Sequence, residues 1–110
     1  MDPTVNLELP KVSIIMNCLN GARYLHEAID SIFSQTYTNW EIIFGDNASS
    51  DISGDIAQSY GKKVRYFRSE IKDCLGAARN KAFTKCSGEY IAFLDVDDLW
   101  LPEKLECQLS

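Results

Sequence analysis

Short apolar stretches alternate along the chain with longer segments whose apolar residues recur every three or four positions. The short stretches are rich in β-branched and aromatic residues and predict strands, which occupy residues 11–16, 40–44, 64–67 and 89–94. The last of these contains a run from Tyr90 to Leu94 that is expected to be buried. The longer segments predict helices with one apolar face. These helices occupy residues 20–35, the stretch from Ser49 or Ser50 to Gly61, residues 75–86, and the segment that starts at Pro102.

The spacing of apolar residues predicts which side of each helix faces the core. The predicted inward residues are Leu25, Ala28, Ile29, Ile32 and Phe33 in the first helix, Ile52, Ile56, Ala57 and Tyr60 in the second, Ala78, Ala82 and Phe83 in the third, and Leu105 and Leu109 in the last. Cap preferences predict the helix ends. They place Asn20 and one of Ser49 or Ser50 at N-caps, Gly61 at the C′ position and Pro102 at the first helical position.

Strands that alternate with helices favour parallel pairing and right-handed crossovers. The predicted fold class is therefore α/β, with an open, doubly wound and mainly parallel sheet. Such sheets bind ligands beyond the carboxyl ends of their strands. Three polar loops follow predicted strands here, namely "NCLNG" at 17–21, "GDNASSD" at 45–51 and "DVDD" at 95–98. We expect these loops to meet at one edge of the sheet and to form the site.

Composition narrows the class of protein. The 110 residues predict one domain, and the net charge of −5 without a basic run argues against a nucleic-acid partner. No apolar run approaches the ~20 residues of a membrane span. The acidic first ten residues are expected to be a flexible leader rather than a signal peptide. The four cysteines form no C-x-x-C pair and are expected to be reduced and mostly buried in a cytoplasmic protein.

Three carboxylates follow the last predicted strand within four positions, at Asp95, Asp97 and Asp98. Carboxylate oxygens in a loop suit Mg²⁺ or Mn²⁺, which keep other coordination positions for waters and phosphate oxygens. The alternative is that Asp98 caps the next helical turn and that Asp95 is only solvated. The chain contains neither G-x-G-x-x-G nor G-x-x-x-x-G-K-[ST], which disfavours a dinucleotide fold and a P-loop.

Taken together, "VSIIMNCLNGARYLHEAIDSIFSQTYTNWEIIFGDNASSD", "GAARNKAF" and "SGEYIAFLDVDDLWLPEKL" resemble the N-terminal half of family 2 glycosyltransferases, which are inverting enzymes with the GT-A fold. The resemblance runs from about Lys11 to the end and involves four motifs in the family's order. It implies that residues 11–110 form the half of a longer domain that binds a nucleotide-sugar donor. That donor is usually a UDP-sugar and is held with a divalent metal.

The resemblance also assigns residues to the base of the donor nucleotide. Asp46 would help to bind the base, and Asn17 and Leu19 would lie beside it. Leu19 stands where the family often has an aromatic residue, so stacking on the base would be lost or replaced. Asn47 stands where many members have a second aspartate. The alternative for Asp46 is an interaction with the N-terminus of a helix.

At the phosphate end, the resemblance makes Asp97 the direct metal ligand. It places Asp95 near the ribose and the metal's waters, as the second acid of the metal set. Arg79 falls where the family keeps a basic residue near the donor. The alternative for Arg79 is a surface salt bridge, which contributes ~0–1 kcal/mol.

The implied chemistry is transfer of a sugar to an acceptor hydroxyl with inversion, the acceptor being a saccharide or lipid-linked molecule. No residue here is assigned as the general base, because the family's acceptor half lies beyond Ser110. We therefore expect no transferase activity from this chain alone. The family-level role is polysaccharide biosynthesis in the cytoplasm, with attachment to the inner face of the membrane through partners as an alternative.

Two other functions stay open. "FLDVDD" also fits a phosphatase of the haloacid dehalogenase type, although that class needs further acids downstream. The other is a non-catalytic module for nucleotide binding or assembly. In the resembling fold the strand 89–94 is interior, so here its free edge predicts a homodimer unless the last helix covers it.

Overall fold

The computed structural model describes residues 10–109, and that part of the chain forms four strands and four helices in alternation. In chain order these elements are β1 Val12–Cys18, α1 Ala22–Phe33, β2 Trp40–Asn47, α2 Ser53–Gln58, β3 Val64–Ser69, α3 Leu75–Phe83, β4 Tyr90–Phe93 and α4 Lys104–Leu109. Every predicted strand and helix is present. The predicted leader, apart from Pro10, lies outside the described residues.

The four strands pair in parallel in the order β3-β2-β1-β4. From β1 the chain adds β2 and then β3 on one side, and it returns to place β4 on the other side of β1. The direction of the crossovers therefore reverses between β1 and β4. In open α/β sheets the crevice at such a reversal, outside the carboxyl ends of the strands, is where ligands bind.

Helices cover both faces of this sheet, which confirms the doubly wound α/β prediction. On one face Ile14 and Met16 of β1 pack in a core with apolar residues of α1, α2 and α4. On the other face Ile15 packs with Ile43 and with Ala82 of α3. The alternation of side chains along β1 thus divides the core into a large cluster and a small one.

The prediction that Tyr90–Leu94 is a buried strand is wrong in part. Tyr90 and Phe93 are 53% and 50% exposed, whereas Leu94 is buried. The reason is that β4 lies at the edge of the described sheet and pairs only with β1. Its side chains therefore have neighbours on one side only.

Three predicted inward residues are exposed. Phe33 is the last residue of α1 and lies at the surface against Trp40 and Tyr60, with ring centroids 4.9 Å and 5.3 Å away. Ile52 is exposed because it occupies the N-cap of α2 and so precedes the helical face. Phe83 ends α3, whose single buried residue is Ala82.

Several predicted helix ends also differ. The N-caps of α1 and α2 are Gly21 and Ile52, and neither makes a side-chain cap bond, so Asn20, Ser49 and Ser50 are not N-caps. The second helix ends at Gln58, and turns continue to Gly61, whose φ of 84° suits glycine. The helix α3 ends at Phe83 rather than at residue 86, and α4 begins two residues after Pro102. The thiols were expected to be mostly buried, but Cys74 and Cys107 are exposed.

A buried carboxylate joins the amino ends of β1 and β2 at the opposite end of the sheet from the polar loops. Glu41 accepts hydrogen bonds from the Ser13 hydroxyl at 2.6 Å and the Ser87 backbone N–H at 2.8 Å. Lys11 and Arg65 pair with its other oxygen at 3.4 Å and 3.3 Å. Burial alone would raise the pKa of Glu41, but the bonds from Ser13 and Ser87 and the charge of Lys11 outweigh it and lower the pKa to about 2.

Among residues 10–109 no helix combines the length and the apolar character that crossing a membrane requires.

Candidate functional site

The parallel pairing brings the three predicted polar loops to one edge of the sheet. Cys18 is paired with Asp46, so the loops after β1 and β2 begin side by side. On the other side of β1, the backbone N–H of Leu94 donates to the carbonyl of Ile15 at 3.1 Å, which places Asp95 next to the end of β1. The structure thus assembles the predicted base-side and metal-side residues around the reversal point between β1 and β4.

The acids after β4 form a cluster that fits a divalent cation. Asp95, Asp97 and Asp98 are all exposed, and one carboxylate oxygen of each lies within 4.8 Å of the others. Between them Val96 packs inward, so close to Gly21 that a Cβ on the glycine would lie 2.8 Å from its side chain. This contact anchors the loop and turns the acids outward. The helix α4 starts at Lys104, so Asp98 does not cap it.

Asp46 is enclosed by its own chain. Its side chain is fully buried, and one oxygen accepts the Ser49 N–H at 2.9 Å. The other oxygen accepts bonds from the Tyr66 hydroxyl and from Arg68, the latter at 3.1 Å. Burial raises the pKa of Asp46, but the bonds from Ser49 and Tyr66 and the charge of Arg68 outweigh it, so the pKa is lowered. To contact a nucleotide base, Asp46 would have to exchange one of these hydrogen bonds for a bond to the ligand.

Asn47 bonds to the segment that follows β3. Its amide nitrogen donates to the carbonyl of Asp73 at 2.8 Å, and its amide oxygen accepts the Asp73 N–H at 2.7 Å. The carboxylate of Asp73 in turn pairs with Lys81 of α3. This chain of contacts ties the loop after β2 to the start of α3.

An open cavity of about 580 Å³ lies between the carboxyl ends of β2 and β3 and the helix α3. Its size falls in the range of small-ligand sites. The polar side chains in its lining include Asn17, Asp46, Asn47, Arg68, Asp73 and Lys81.

Asn17 offers an unused acceptor at this cavity. Within the described part of the chain, its buried Oδ1 has no hydrogen-bond partner. It lies so close to Gly45 that a Cβ there would be 2.6 Å away, and the glycine makes room for it. A buried acceptor without a donor is costly, so this atom would gain from a donor if its surroundings moved to admit one.

Arg79 lies on the other side of β1 from that cavity. Its guanidinium lies 5.2 Å from the centre of the Phe93 ring. It shares a small depression with Asn17 and Asp95. No ion pair of Arg79 is found within residues 10–109, so the salt-bridge alternative is wrong for this part of the chain. Leu19 is 39% exposed at the edge of the site, and it lines neither the cavity beside α3 nor the depression beside Arg79.

Comparison with known proteins assigns this arrangement to a family. The family model described as Glycosyl transferase family 2 matches residues 13–110, which is almost the whole chain. The chain belongs to glycosyl transferase family 2. The resemblance inferred from the sequence motifs is thus confirmed. These matches lend no support to the phosphatase alternative.

Curated relatives of this family 2 chain are longer than it is. An uncharacterized glycosyltransferase of Rickettsia typhi is 46% identical over 105 residues, which cover 96% of this chain and 33% of the relative. The Escherichia coli protein WfgD, a UDP-Glc:alpha-D-GlcNAc-diphosphoundecaprenol beta-1,3-glucosyltransferase, is 38% identical over 100 residues, covering 90% of this chain and 40% of WfgD. The chain therefore spans less than half the length of these two relatives.

Solved structures confirm the GT-A fold of the family 2 chain. S. aureus TarS in complex with UDP-GlcNAc matches it with a TM-score of 0.85 and 27% identity. The match covers 89% of this chain and 30% of the TarS chain.

Sequence reasoning on the family 2 chain missed Tyr66, Arg68, Asp73 and Lys81. One signal for two of them was available, because Tyr66 and Arg68 are two apart on a strand and so share a face. Their partner was not evident, because the pairing of Arg68 with Asp46 depends on β3 lying next to β2.

Proposed function

We propose that this chain binds the nucleotide-sugar donor of a metal-dependent, inverting glycosyltransferase. The observation that carries the proposal is the meeting of three loops at the reversal point, where an acid cluster and a polar cavity flank the end of β1. The donor is a UDP-sugar, a choice supported by the donor in the name of WfgD and by the UDP-GlcNAc complex of TarS. The acceptor is the hydroxyl of a saccharide or lipid-linked molecule.

The acid cluster is the proposed metal site. Three exposed carboxylates whose oxygens lie within 4.8 Å of one another are hard ligands suited to Mg²⁺ or Mn²⁺. Asp97 is the proposed direct ligand, and Asp95 supports it towards the ribose. A bound cation would supply Lewis-acid stabilisation of the departing diphosphate. Without it, these acids would repel the donor's own negative charge.

The nucleotide base is proposed to bind at the end of β1 and β2. The free Oδ1 of Asn17 would accept an N–H of the base, which would satisfy a buried acceptor. Asn47 and Arg68 border the same cavity and supply further polar contacts. Asp46 keeps Arg68 in place through its bond of 3.1 Å. Leu19, exposed at the edge, offers an apolar contact instead of aromatic stacking.

In the reaction, the acceptor oxygen attacks the anomeric carbon while the bond to the diphosphate breaks, which inverts the configuration. The residues described here act on the leaving-group side by binding and orienting the donor. Arg79, which lies beside Asp95 in one depression, is proposed to contact the donor near its phosphates. No residue of this chain is assigned to remove the acceptor's proton.

We expect UDP to bind about tenfold more tightly with Mn²⁺ or Mg²⁺ than in EDTA, because the cation offsets the charge of three clustered carboxylates. Calorimetric titration of the chain with UDP under both conditions measures the difference. Titration with orthophosphate under the same conditions is the control for non-specific anion binding. Equal UDP affinity with and without metal would contradict the metal site.

We also propose that the chain forms a two-fold dimer through the edge of β4. In the described sheet β4 pairs only with β1, and its Tyr90 and Phe93 are half-exposed. The helix α4 buries Leu105 in the core on one face of the sheet. An edge strand with exposed aromatics is a template for a second copy.

Sedimentation velocity over a concentration series tests this dimer. We expect Phe93→Lys to shift the chain towards monomer, because the charge would be placed at the paired edge. Phe83→Lys is the matched control, since Phe83 is also exposed but lies on α3. A wild-type monomer at all concentrations would rule the dimer out.

A further inference from the structure

Asp51, in the loop between β2 and α2, contacts the first turns of two helices with one carboxylate. Its Oδ2 accepts the backbone N–H of Ala22, the first residue of α1, at 3.1 Å. Its Oδ1 accepts the backbone N–H of Ser53, the first residue of α2, at 2.9 Å. The Ser53 hydroxyl also donates to Asp51 and accepts the N–H of Gly21 at 3.1 Å.

This contact replaces the side-chain cap bonds that the N-cap residues of both helices cannot make. The first N–H groups of a helix have no partner inside it and need one from elsewhere. Gly21 has no side chain, and the apolar side chain of Ile52 cannot accept a bond. Asp51 supplies the acceptors for both helices, and its negative charge lies at the positive end of each helix dipole.

Asn20, in the loop after β1, also bonds to the loop after β2. Its side-chain oxygen accepts the N–H of Ser50 at 2.8 Å and that of Asp51 at 3.3 Å. Its own backbone N–H donates to the Ser49 hydroxyl at 3.0 Å. Asn20 adopts a φ of 54°, which asparagine tolerates better than most residues. The loops after β1 and β2 are therefore bonded to each other from both sides.

We propose that Asp51 is a positioning residue that holds the two base-binding loops in register. The inference rests on the proposed function, because these loops start from the strand ends that carry Asn17 and Asn47, the proposed contacts to the base. The acid cluster belongs to a third loop, and within the described residues no hydrogen bond joins it to Asp51. Val96 of that loop packs on Gly21, but the acids themselves are exposed and point away from this contact, so we expect Asp51 to act chiefly on the base end of the donor.

The test separates these two ends of the donor. Asp51→Asn keeps the size of the side chain but leaves one acceptor oxygen for two helices. We expect its affinity for UDP with Mn²⁺ to fall about tenfold, a typical size for loss of coupling, while its affinity for pyrophosphate with Mn²⁺ stays unchanged. Asp55→Asn is the matched control, because Asp55 is an exposed acid in the first turn of α2. It should bind both ligands as the wild type does.

A second variant covers the case in which Asp51→Asn does not fold. Asn20→Gly removes the side-chain bonds to Ser50 and Asp51, keeps the backbone bond to Ser49 and still allows a positive φ. It should weaken UDP binding in the same selective way. Equal losses for UDP and pyrophosphate would overturn the proposal in favour of a general structural role, and unchanged UDP affinity would overturn it outright.

Amide hydrogen exchange without ligand distinguishes failure of this inference from failure of the proposed function. We expect the Ala22 and Ser53 amides, 31 positions apart in the chain, to exchange faster together in Asp51→Asn. If the wild type binds no UDP, the proposed function fails and the positioning role with it, whereas the exchange data still decide the link between the helices. Unchanged exchange at either amide would refute that link.

Discussion

Replacing Glu41 by glutamine will lower the free energy of unfolding by about 3 kcal/mol at pH 7. In the folded chain the carboxylate is almost fully buried and is held by Ser13, Ser87, Lys11 and Arg65. These contacts lower its pKa from 4.5 to about 2, and a difference of that size corresponds to about 3 kcal/mol of stability. Glutamine keeps one oxygen that accepts hydrogen bonds, but it has no negative charge to pair with Lys11 and Arg65.

The effect of Glu41 depends on pH in a definite direction. Because its folded pKa is below its unfolded value, its contribution is complete above pH 4.5 and is lost as the pH falls towards 2. The difference between wild type and Glu41→Gln should therefore be large at pH 7 and small at pH 2. Urea unfolding followed by circular dichroism measures it. Glu27→Gln, at an exposed position of α1, is the control, and an equal difference at both pH values would contradict the assignment.

Replacing Asp97 by asparagine will raise the Mn²⁺ concentration needed to support UDP binding by about 100-fold, because loss of a direct ligand should cost at least as much as the upper end of the losses seen when residues that support metal ligands are altered. The melting temperature should stay the same or rise slightly. Asp97 is exposed, and its removal relieves repulsion among carboxylates whose oxygens lie within 4.8 Å of one another. The measurement is calorimetric titration of UDP at a series of Mn²⁺ concentrations.

Glu103→Gln is the matched control for Asp97. Glu103 is an exposed acid in the turn before α4 and lies outside the acid cluster, so its loss changes the net charge equally. A variant of Asp97 that melts earlier but binds UDP as before would show a structural role for this residue instead of a metal role.

The elements of the fold could be predicted because each follows from a local pattern of apolar residues. The order of the strands could not, because nothing within residues 89–94 shows on which side of β1 the strand adds. The exposure of Tyr90 and Phe93 follows from that order. This is why a strand that looks buried in the sequence proved half-exposed.

Some features of the site could likewise be predicted from local sequence, and others could not. Its three loops follow from parallel strands, so their meeting could be predicted. The contacts that shape them join residues far apart in the chain, as between Asp46 and Arg68, 22 positions apart, or Asp51 and Ala22, 29 apart. Rules for helix caps examine the residues next to each helix. They therefore proposed Asn20 and one of Ser49 or Ser50, whereas the acceptor for α1 comes from another loop.

The unequal division of the core has a consequence for how easily each layer of helices opens. The face covered by α1, α2 and α4 holds most of the buried side chains, whereas α3 is held by a small cluster around Ile15, Ile43 and Ala82. Segments with few buried contacts open at a lower free-energy cost than the rest of a protein. The helix α3 forms one wall of the 580 Å³ cavity. We therefore expect α3 to open more readily than the larger core, and a ligand bound in the cavity beside it would make this layer more rigid.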